Sequence, residues 1–312
     1  MRPRFGSQQP SAELQETWRR DGFVLMPGIV PTDILDEVQA DVAAFRARCG
    51  ETKDAAGFGD WIGMLHLELE SCLRLAAQPP VLSFLKWALD DTPLLFGSLN
   101  FERGSERVPH IDTIFFHTIP VTAMAGVWFA LEDVSSDSGP LNYVPGSHRW
   151  PLVTGERVVA ESTDLRDEIE AARNGTISDA GRGELVSELG HRHEALMAAE
   201  VQRRNEEAVP VLAKRGDCIV WHALVAHGGL PRANPLSSRR SMVFHFIGRH
   251  ARLYPFEDFF LKTPDELESL AGMQTPVQER GDLAKGFAHM AHGYVAFVVD
   301  GEQVSQPLTE RR

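Results

Sequence analysis

A mainly β fold with helices around it, either a β-sandwich or a jelly roll, is the architecture this sequence predicts. Three observations carry the expectation. Between Leu94 and Ile247 the apolar residues fall in short β-branched and aromatic runs bounded by turn residues, the spacing of a sandwich or roll. Before Leu94 the apolar period is helical. Residues 151–208 then interrupt the strands with charged, helical sequence. The chain has 312 residues, of which 43% are hydrophobic, enough for one large core. No internal repeat, low-complexity linker or sharp boundary divides it, so 1–312 reads as a single domain. Within it we expect an N-terminal helical part at about 11–90 and a helical insertion at about 151–208.

Taken in order, Ser11 caps a helix that runs to Arg20 and stops at Asp21-Gly22. Phe23 to Met26 is a short apolar strand. Pro31-Thr32-Asp33 opens a second helix, with Ile34, Leu35, Val38, Val42 and Phe45 on one face. Residues 50–60 are polar and glycine-bearing, hence loop. Trp61 to Ala77 has helical period, Pro79-Pro80 breaks it, and Val81 to Leu89 is helical again. Strands follow at Leu94–Arg103, Ile111–Thr118 and Gly126–Leu131. A turn cluster at Asp133–Gly139 precedes Leu141–Val144 and a sharp turn at Pro145–His148. In the insertion, helices are expected at Leu165–Arg173 and Gly183–Glu207, with a possible break at Gly190. Such an insertion is either a lid over the open end of a barrel or a cover that buries a sheet face. Strand character returns at Val209–Leu212, Cys218–Trp221 and Ser241–Ile247, the last clear strand, and a short helix is expected near Pro264.

Net charge is −13, which argues against a general nucleic-acid binder. Cys49, Cys72 and Cys218 are scattered without CxxC spacing, which suits a reducing compartment better than a disulfide scaffold. The segment Met1–Pro10 has no apolar stretch of the signal-peptide kind, and no apolar run reaches the length of a membrane helix. The expectation is a soluble cytoplasmic protein with a loose N-terminal tail, no membrane or nucleic-acid partner and a small-molecule substrate. Nothing in the sequence speaks to its oligomeric state.

The chemistry concentrates around His110-Ile111-Asp112. On a strand, residues two apart face the same way, so an imidazole and a carboxylate would converge as ligands for one metal ion. A second histidine would complete the two-histidine, one-carboxylate set of non-haem Fe(II) oxygenases; the bland alternative is a satisfied surface pair. His227, followed by Gly228-Gly229, is the candidate, because glycine lets the backbone approach a ligand closely. His222 competes on the same segment. His66-Leu67-Glu68 has a similar pattern but helical context, where such residues face apart. Downstream lies Arg239-Arg240-Ser241. An arginine planted in a barrel interior needs an anion, and its planar fork suits a carboxylate; two solvated edge charges are the competing reading. Ser241 would share a face with Arg239. His117, His148 and His245 are further candidates to face such a pocket. No GxSxG elbow supports a serine hydrolase.

These segments resemble the phytanoyl-CoA dioxygenase family of Fe(II)/2-oxoglutarate-dependent oxygenases, its bacterial members in particular. The similarity runs through Trp18-Arg19-Arg20-Asp21-Gly22-Phe23-Val24, His110-Ile111-Asp112-Thr113 and Gly126 to Asp133. It continues through Gly139 to His148, Gly216 to His222, His227-Gly228-Gly229 and Ser238-Arg239-Arg240-Ser241, all in family order. The resemblance implies a double-stranded β-helix (a cupin-like jelly roll). It implies His110, Asp112 and His227 as Fe(II) ligands, Arg239 as the anchor of 2-oxoglutarate and Trp128 as a wall of that site. Family members often carry serine two residues after the distal histidine; here Gly229 stands there, and Ser241 or Ser98 would replace the contact. The implied reaction consumes 2-oxoglutarate and O2, releases succinate and CO2, and hydroxylates a small metabolite, such as an intermediate of natural-product biosynthesis. Asp112 fills the position that halogenating relatives leave small. Desaturation, cyclisation or epimerisation at the same iron site, or a cupin-like binding protein without turnover, are the alternatives.

Overall fold

The structure is a computed structural model that describes residues 9–49 and 61–269, together with the strand segments 277–280, 283–287 and 295–298. The expected N-terminal tail and the expected loop at 50–60 lie outside, or almost wholly outside, the described residues.

The chain opens with α1 (Ala12–Asp21), whose N-cap Ser11 accepts a hydrogen bond from the Leu14 N–H and whose C-cap Gly22 is left-handed. β1 (Phe23–Met26) and α2 (Thr32–Cys49) follow as the periodicity predicts. Next comes a departure. Trp61–Gly63 is not helical; it forms β2, antiparallel to β3 (Pro93–Phe101), with Trp61 opposite Phe101. Left-handed Met64 turns the chain into a 3-10 turn at Leu65–Leu67, and α3 begins only at Glu70 and ends at Ala76. Apolar spacing alone cannot show that an edge of β3 is there to be paired, and tertiary pairing overrides local period. Pro79-Pro80 does not simply end a helix; the pair opens α4 (Pro79–Ala88), where a missing N–H costs nothing.

Four further strands build the wall with β1 and β3: β5 (Met124–Ala130), β8 (Cys218–His222), β10 (Ser241–Gly248), and β14 (Val295–Val298) beyond β3. With β12 (Val277–Arg280) and β13 (Leu283–Phe287), the order is β1-β8-β5-β10-β3-β14-β13-β12. A smaller sheet sets β6 (Leu141–Tyr143) between β7 (Val209–Pro210) and β9 (His227–Gly229). β4 (His117–Ile119) pairs separately with β11 (Arg252–Tyr254). The expected strand at Ile111–Thr118 is therefore broken. Asp112–Ile114 is a 3-10 turn, closed by the Phe115 N–H on the Asp112 carbonyl, and only the end is strand. The expected strand at Val209–Leu212 is cut to β7, and β10 is not the last strand.

The two faces of the large sheet have different jobs. Val127, Phe129, Met242, Phe244 and Phe246 join α1 to α4 in one buried core. The alternate residues Trp128, Ile219, Trp221 and Val243 meet Tyr143 of β6 in the interior of the roll. The insertion folds as α5 (Gly155–Glu161), α6 (Arg166–Arg173) and α7 (Asp179–Arg204). These helices share a third core with Ile111, Ile114, Val144 and α8 (Asp258–Leu261). α7 starts earlier than its period suggests, capped by Ser178, and runs through Gly190 without a break. A Cβ at Gly190 would stand 3.0 Å from the Phe256 ring, so the glycine there serves close packing. α9 (Pro264–Ser269) lies where a short helix is expected. No helix among the described residues is long and apolar enough to cross a membrane.

Phe244→Ala should lower the unfolding free energy by about 3–5 kcal/mol in a urea titration, because a fully buried ring is lost. Leu236→Ala, at an 87% exposed position, should stay within about 0.5 kcal/mol. Burial holds His117, His193 and His222 at pKa values of about 4. Their ordinary value is 6.5, so between these limits the unfolded chain binds protons that the native chain does not. Stability is therefore full above pH 6.5 and falls as pH drops toward 4, by about 1.4 kcal/mol per pH unit for each group. Urea midpoints measured from pH 7.5 to 5 test that sign.

Candidate metal centre

His110 and His227 come from distant parts of the chain and are locked together through their backbones. The His110 N–H donates to the His227 carbonyl and the His227 N–H donates to the His110 carbonyl, each at 2.9 Å. Their rings lie with centroids 4.5 Å apart. Ile111 is extended, so Asp112, two residues on, returns to the same side although it begins a turn rather than continuing a strand. Its N–H donates to the Ala223 carbonyl at 3.1 Å. The two imidazoles and the carboxylate can each offer one donor atom, and these atoms lie within 4.8 Å of one another, all three residues being buried.

The surroundings decide which atoms face the centre. His110 Nδ1 is 3.0 Å from the Val108 carbonyl, and His227 Nδ1 is 3.0 Å from the Val225 carbonyl. A carbonyl only accepts, so both Nδ1 atoms carry the proton and both Nε2 lone pairs are free. His227 Nε2 lies 3.6 Å and His110 Nε2 4.0 Å from Asp112 Oδ1. Asp112 Oδ2 is turned away, held by the Trp221 indole N–H at 2.7 Å. Burial, aided by the charges of His227 and Arg107, pushes the His110 pKa well below its usual value, which keeps the ring neutral. Two imidazole Nε2 atoms freed by hydrogen bonds at Nδ1 and one carboxylate oxygen fit an Fe(II) ion.

Trp221 owes its position to Gly126, its partner in the β5–β8 register. A Cβ at Gly126 would stand 2.1 Å from the indole ring. Gly228 has a different reason from the one the sequence suggests: a Cβ there would come within 2.5 Å of the Arg107 carbonyl, so the close approach is to the chain's own backbone. Tyr143 stacks on His227 at 5.7 Å and on Phe23 at 4.7 Å.

Arg239 is 1% exposed. Its Nη1 donates to the Gly139 carbonyl at 2.8 Å, its Nε has no partner, and no carboxylate pairs with it among the described residues. Burial lowers its pKa to about 10, which still leaves a cation at neutral pH. Trp128 Nε1 and the Tyr143 hydroxyl are also buried without partners. Ser241, fully buried, donates to the Arg239 carbonyl at 3.3 Å. A buried cation with unpaired donors near it is a costly arrangement unless an anion completes it.

Ser98 does not join them. It pairs with Phe244 across the sheet, on the face that packs against the helices, and its hydroxyl is 2.7 Å from His66 Nδ1. His222 stands apart as well, its ring against His148 and Trp18 and its Nδ1 accepting from the Leu224 N–H. His117 packs on Tyr254 and Phe259. His245 is buried against Phe116, close enough to Asp112 and His227 to feel both charges. Trp221, Tyr143 and Arg107 were not singled out as site residues. Strand alternation from Ile219 would have turned Trp221 inward; nothing local marks Arg107.

A jelly roll with two histidines and a carboxylate converging in its interior is the construction of a facial-triad metalloprotein. The chain belongs to the phytanoyl-CoA dioxygenase family, whose model matches residues 18–241. Similar proteins include the phytanoyl-CoA dioxygenase domain-containing protein 1 of Danio rerio, 47% identical over 162 residues, or 52% of this chain and 46% of that protein. The Bos taurus protein of the same name is 27% identical over the same shares. The chain spans about half the length of these relatives. Among solved structures, the alpha ketoglutarate dependent epimerase SnoN from nogalamycin biosynthesis shares the fold. Its TM-score is 0.55 at 21% identity, covering 80% of this chain and 88% of that one. EctD from S. alaskensis gives 0.56 at 19% identity, covering 84% of each.

Trp221→Phe should weaken binding of Fe(II) or Co(II) about 10- to 100-fold in anaerobic calorimetry, because the carboxylate loses the donor that orients it. Circular dichroism should be unchanged.

Proposed function

We propose that this chain is a non-haem Fe(II)/2-oxoglutarate-dependent dioxygenase that hydroxylates a small-molecule metabolite. The observation that carries the reading is the three-residue cluster, with both Nε2 atoms and Asp112 Oδ1 directed at one point by bonds to their other atoms. In this reading His110, Asp112 and His227 would hold the iron. Bound there, iron and 2-oxoglutarate supply oxidative decarboxylation to succinate and CO2, with one oxygen atom of O2 delivered to a substrate carbon.

The rest is the work of the chain's own side chains. Arg239 receives the far carboxylate of 2-oxoglutarate, because it is the buried cation without an anionic partner. Trp128 and Tyr143 offer their unpaired donors in the same interior, and Ser241 keeps the Arg239 backbone in place. The roll excludes water from the cluster, which strengthens each of these contacts. Arg240, next in sequence, is tied to Glu102 at the surface and takes no part. The insertion, packed over Ile111 and Ile114 beside the ligands, is the element that meets the organic substrate.

The test is anaerobic titration of the Fe(II)-loaded protein with 2-oxoglutarate, read by the visible charge-transfer band of the chelate. The band should appear in the wild type and in His222→Ala and be lost in His227→Ala. Arg239→Ala should raise the half-saturating 2-oxoglutarate concentration about 10- to 100-fold, the value of a charge-assisted pair, while Arg240→Ala changes it less than about twofold. Absence of the band in a folded, iron-loaded wild type would remove the proposal. Product analysis with a substrate in hand separates hydroxylation from desaturation, cyclisation or epimerisation.

A further inference from the structure

A cleft of about 740 Å³ opens beside the metal centre, between α7, the segment around Arg107 and the aromatic pair Phe115 and Phe256. That volume falls in the range of sites for medium-sized organic ligands. Phe115 joins it to the cluster: its ring lies 5.3 Å from Phe256 on the cleft side and edge-on to His110 at 5.8 Å. The opposite wall is α7, where two glycines interrupt the side chains. Gly183 and Gly190 are two turns apart on α7 and both line the cleft. Gly183 is exposed and a Cβ there would meet nothing within 4 Å, so the cleft is open to solvent at this point of its rim.

Both arginines on this lining are already paired. Arg107 lies over Phe115 at 4.4 Å and places Nε and Nη2 on Glu194 of α7, at 3.1 and 2.6 Å. Its Nη1 has no partner among the described residues. Arg182, the other lining arginine, has Nη1 3.4 Å from Glu257, and Asp179 adds a further negative charge. Both lining arginines are paired with carboxylates, so a polyphosphorylated ligand would have to break partly buried ion pairs to be held by them. An uncharged one has flat aromatic faces, a helix face it can lie against and one spare N–H donor.

We infer that this cleft is the organic-substrate site, and that it takes an uncharged, apolar, ring-bearing molecule with one oxygen acceptor directed at Arg107 rather than a coenzyme A thioester. The inference rests on the proposed iron chemistry only for what happens to the molecule once bound; the cleft and its preference can be tested without turnover. Phe115 positions the ring body against the metal side, and the Arg107–Glu194 pair fixes the height of α7 above it.

The probe is 6-propionyl-2-(dimethylamino)naphthalene, an uncharged ring system with one carbonyl oxygen, titrated into the full chain and followed by its blue-shifted emission. One equivalent should bind the wild type. Gly183→Phe, which fills the open wall and raises helix propensity, should weaken binding at least tenfold. Gly183→Ala should remain within about threefold, and Arg107→Gln should weaken it severalfold. Coenzyme A at millimolar concentration should not displace the dye. In the anaerobic Fe(II)/2-oxoglutarate protein, saturating dye should shift the charge-transfer band.

Unchanged affinity in Gly183→Phe, displacement of the dye by coenzyme A, or a band that does not respond to dye would each overturn the inference. Absence of the band before dye is added would instead remove the iron and 2-oxoglutarate reading, with the dye affinities still deciding the fate of the cleft.

Discussion

Two backbone hydrogen bonds, exchanged between His110 and His227, are the constraint on which the site depends. They join a loop that follows β3 to a strand of the small sheet, and so fix two imidazoles at one spacing. The third donor is added by chain geometry: extended Ile111 brings Asp112 around to the same side, and the Ala223 carbonyl anchors its N–H. What remains is to aim the donors. Two carbonyls and one indole do that, each taking the atom that should not face the centre. Preorganisation of the two imidazoles is backbone work, while the aim of the carboxylate depends on the Trp221 side chain.

The sheet supports this through spacing as much as through contact. Gly126 leaves the room that Trp221 fills, and Trp221 in turn holds one carboxylate oxygen. Phe23 and Tyr143 form a stack that ends on the His227 ring. A residue of β1, near the start of the chain, is thereby in mechanical contact with the centre. The small-to-large pairing of Gly126 with Trp221 shows why alternation on β5 and β8 has to be read as shape as well as polarity.

Much of the fold was legible. The strands at 94–101, 124–130, 218–222 and 241–248 announce themselves by β-branched and aromatic runs, because each is buried on both faces. The converging triad was legible from the spacing of His110 and Asp112 and the glycines after His227, although Asp112 begins a turn rather than continuing a strand. What failed was whatever depended on a partner elsewhere. Trp61–Gly63 has helical spacing and becomes a strand because β3 offers it an edge. Ser98 looked like a site residue until its register with Phe244 put it on the other face. Gly190 reads as a helix break only if Phe256 is unknown. Trp221 and Arg107 act through a carboxylate and a glutamate far off in sequence, and no local pattern encodes such a pairing.

β10 carries two duties on alternate residues. Met242, Phe244 and Phe246 belong to the core shared with the helices, while Ser241, Val243 and His245 face the interior of the roll. A slip of one residue would bury His245 in a hydrocarbon core and turn phenylalanines toward the cluster of His110, Asp112 and His227. The strand therefore proofreads its own register during assembly, since any misaligned state loses packing and polar satisfaction together. Sequence change on this strand is therefore constrained on both faces at once, whereas the inserted α7 packs on one side only and carries no such double duty.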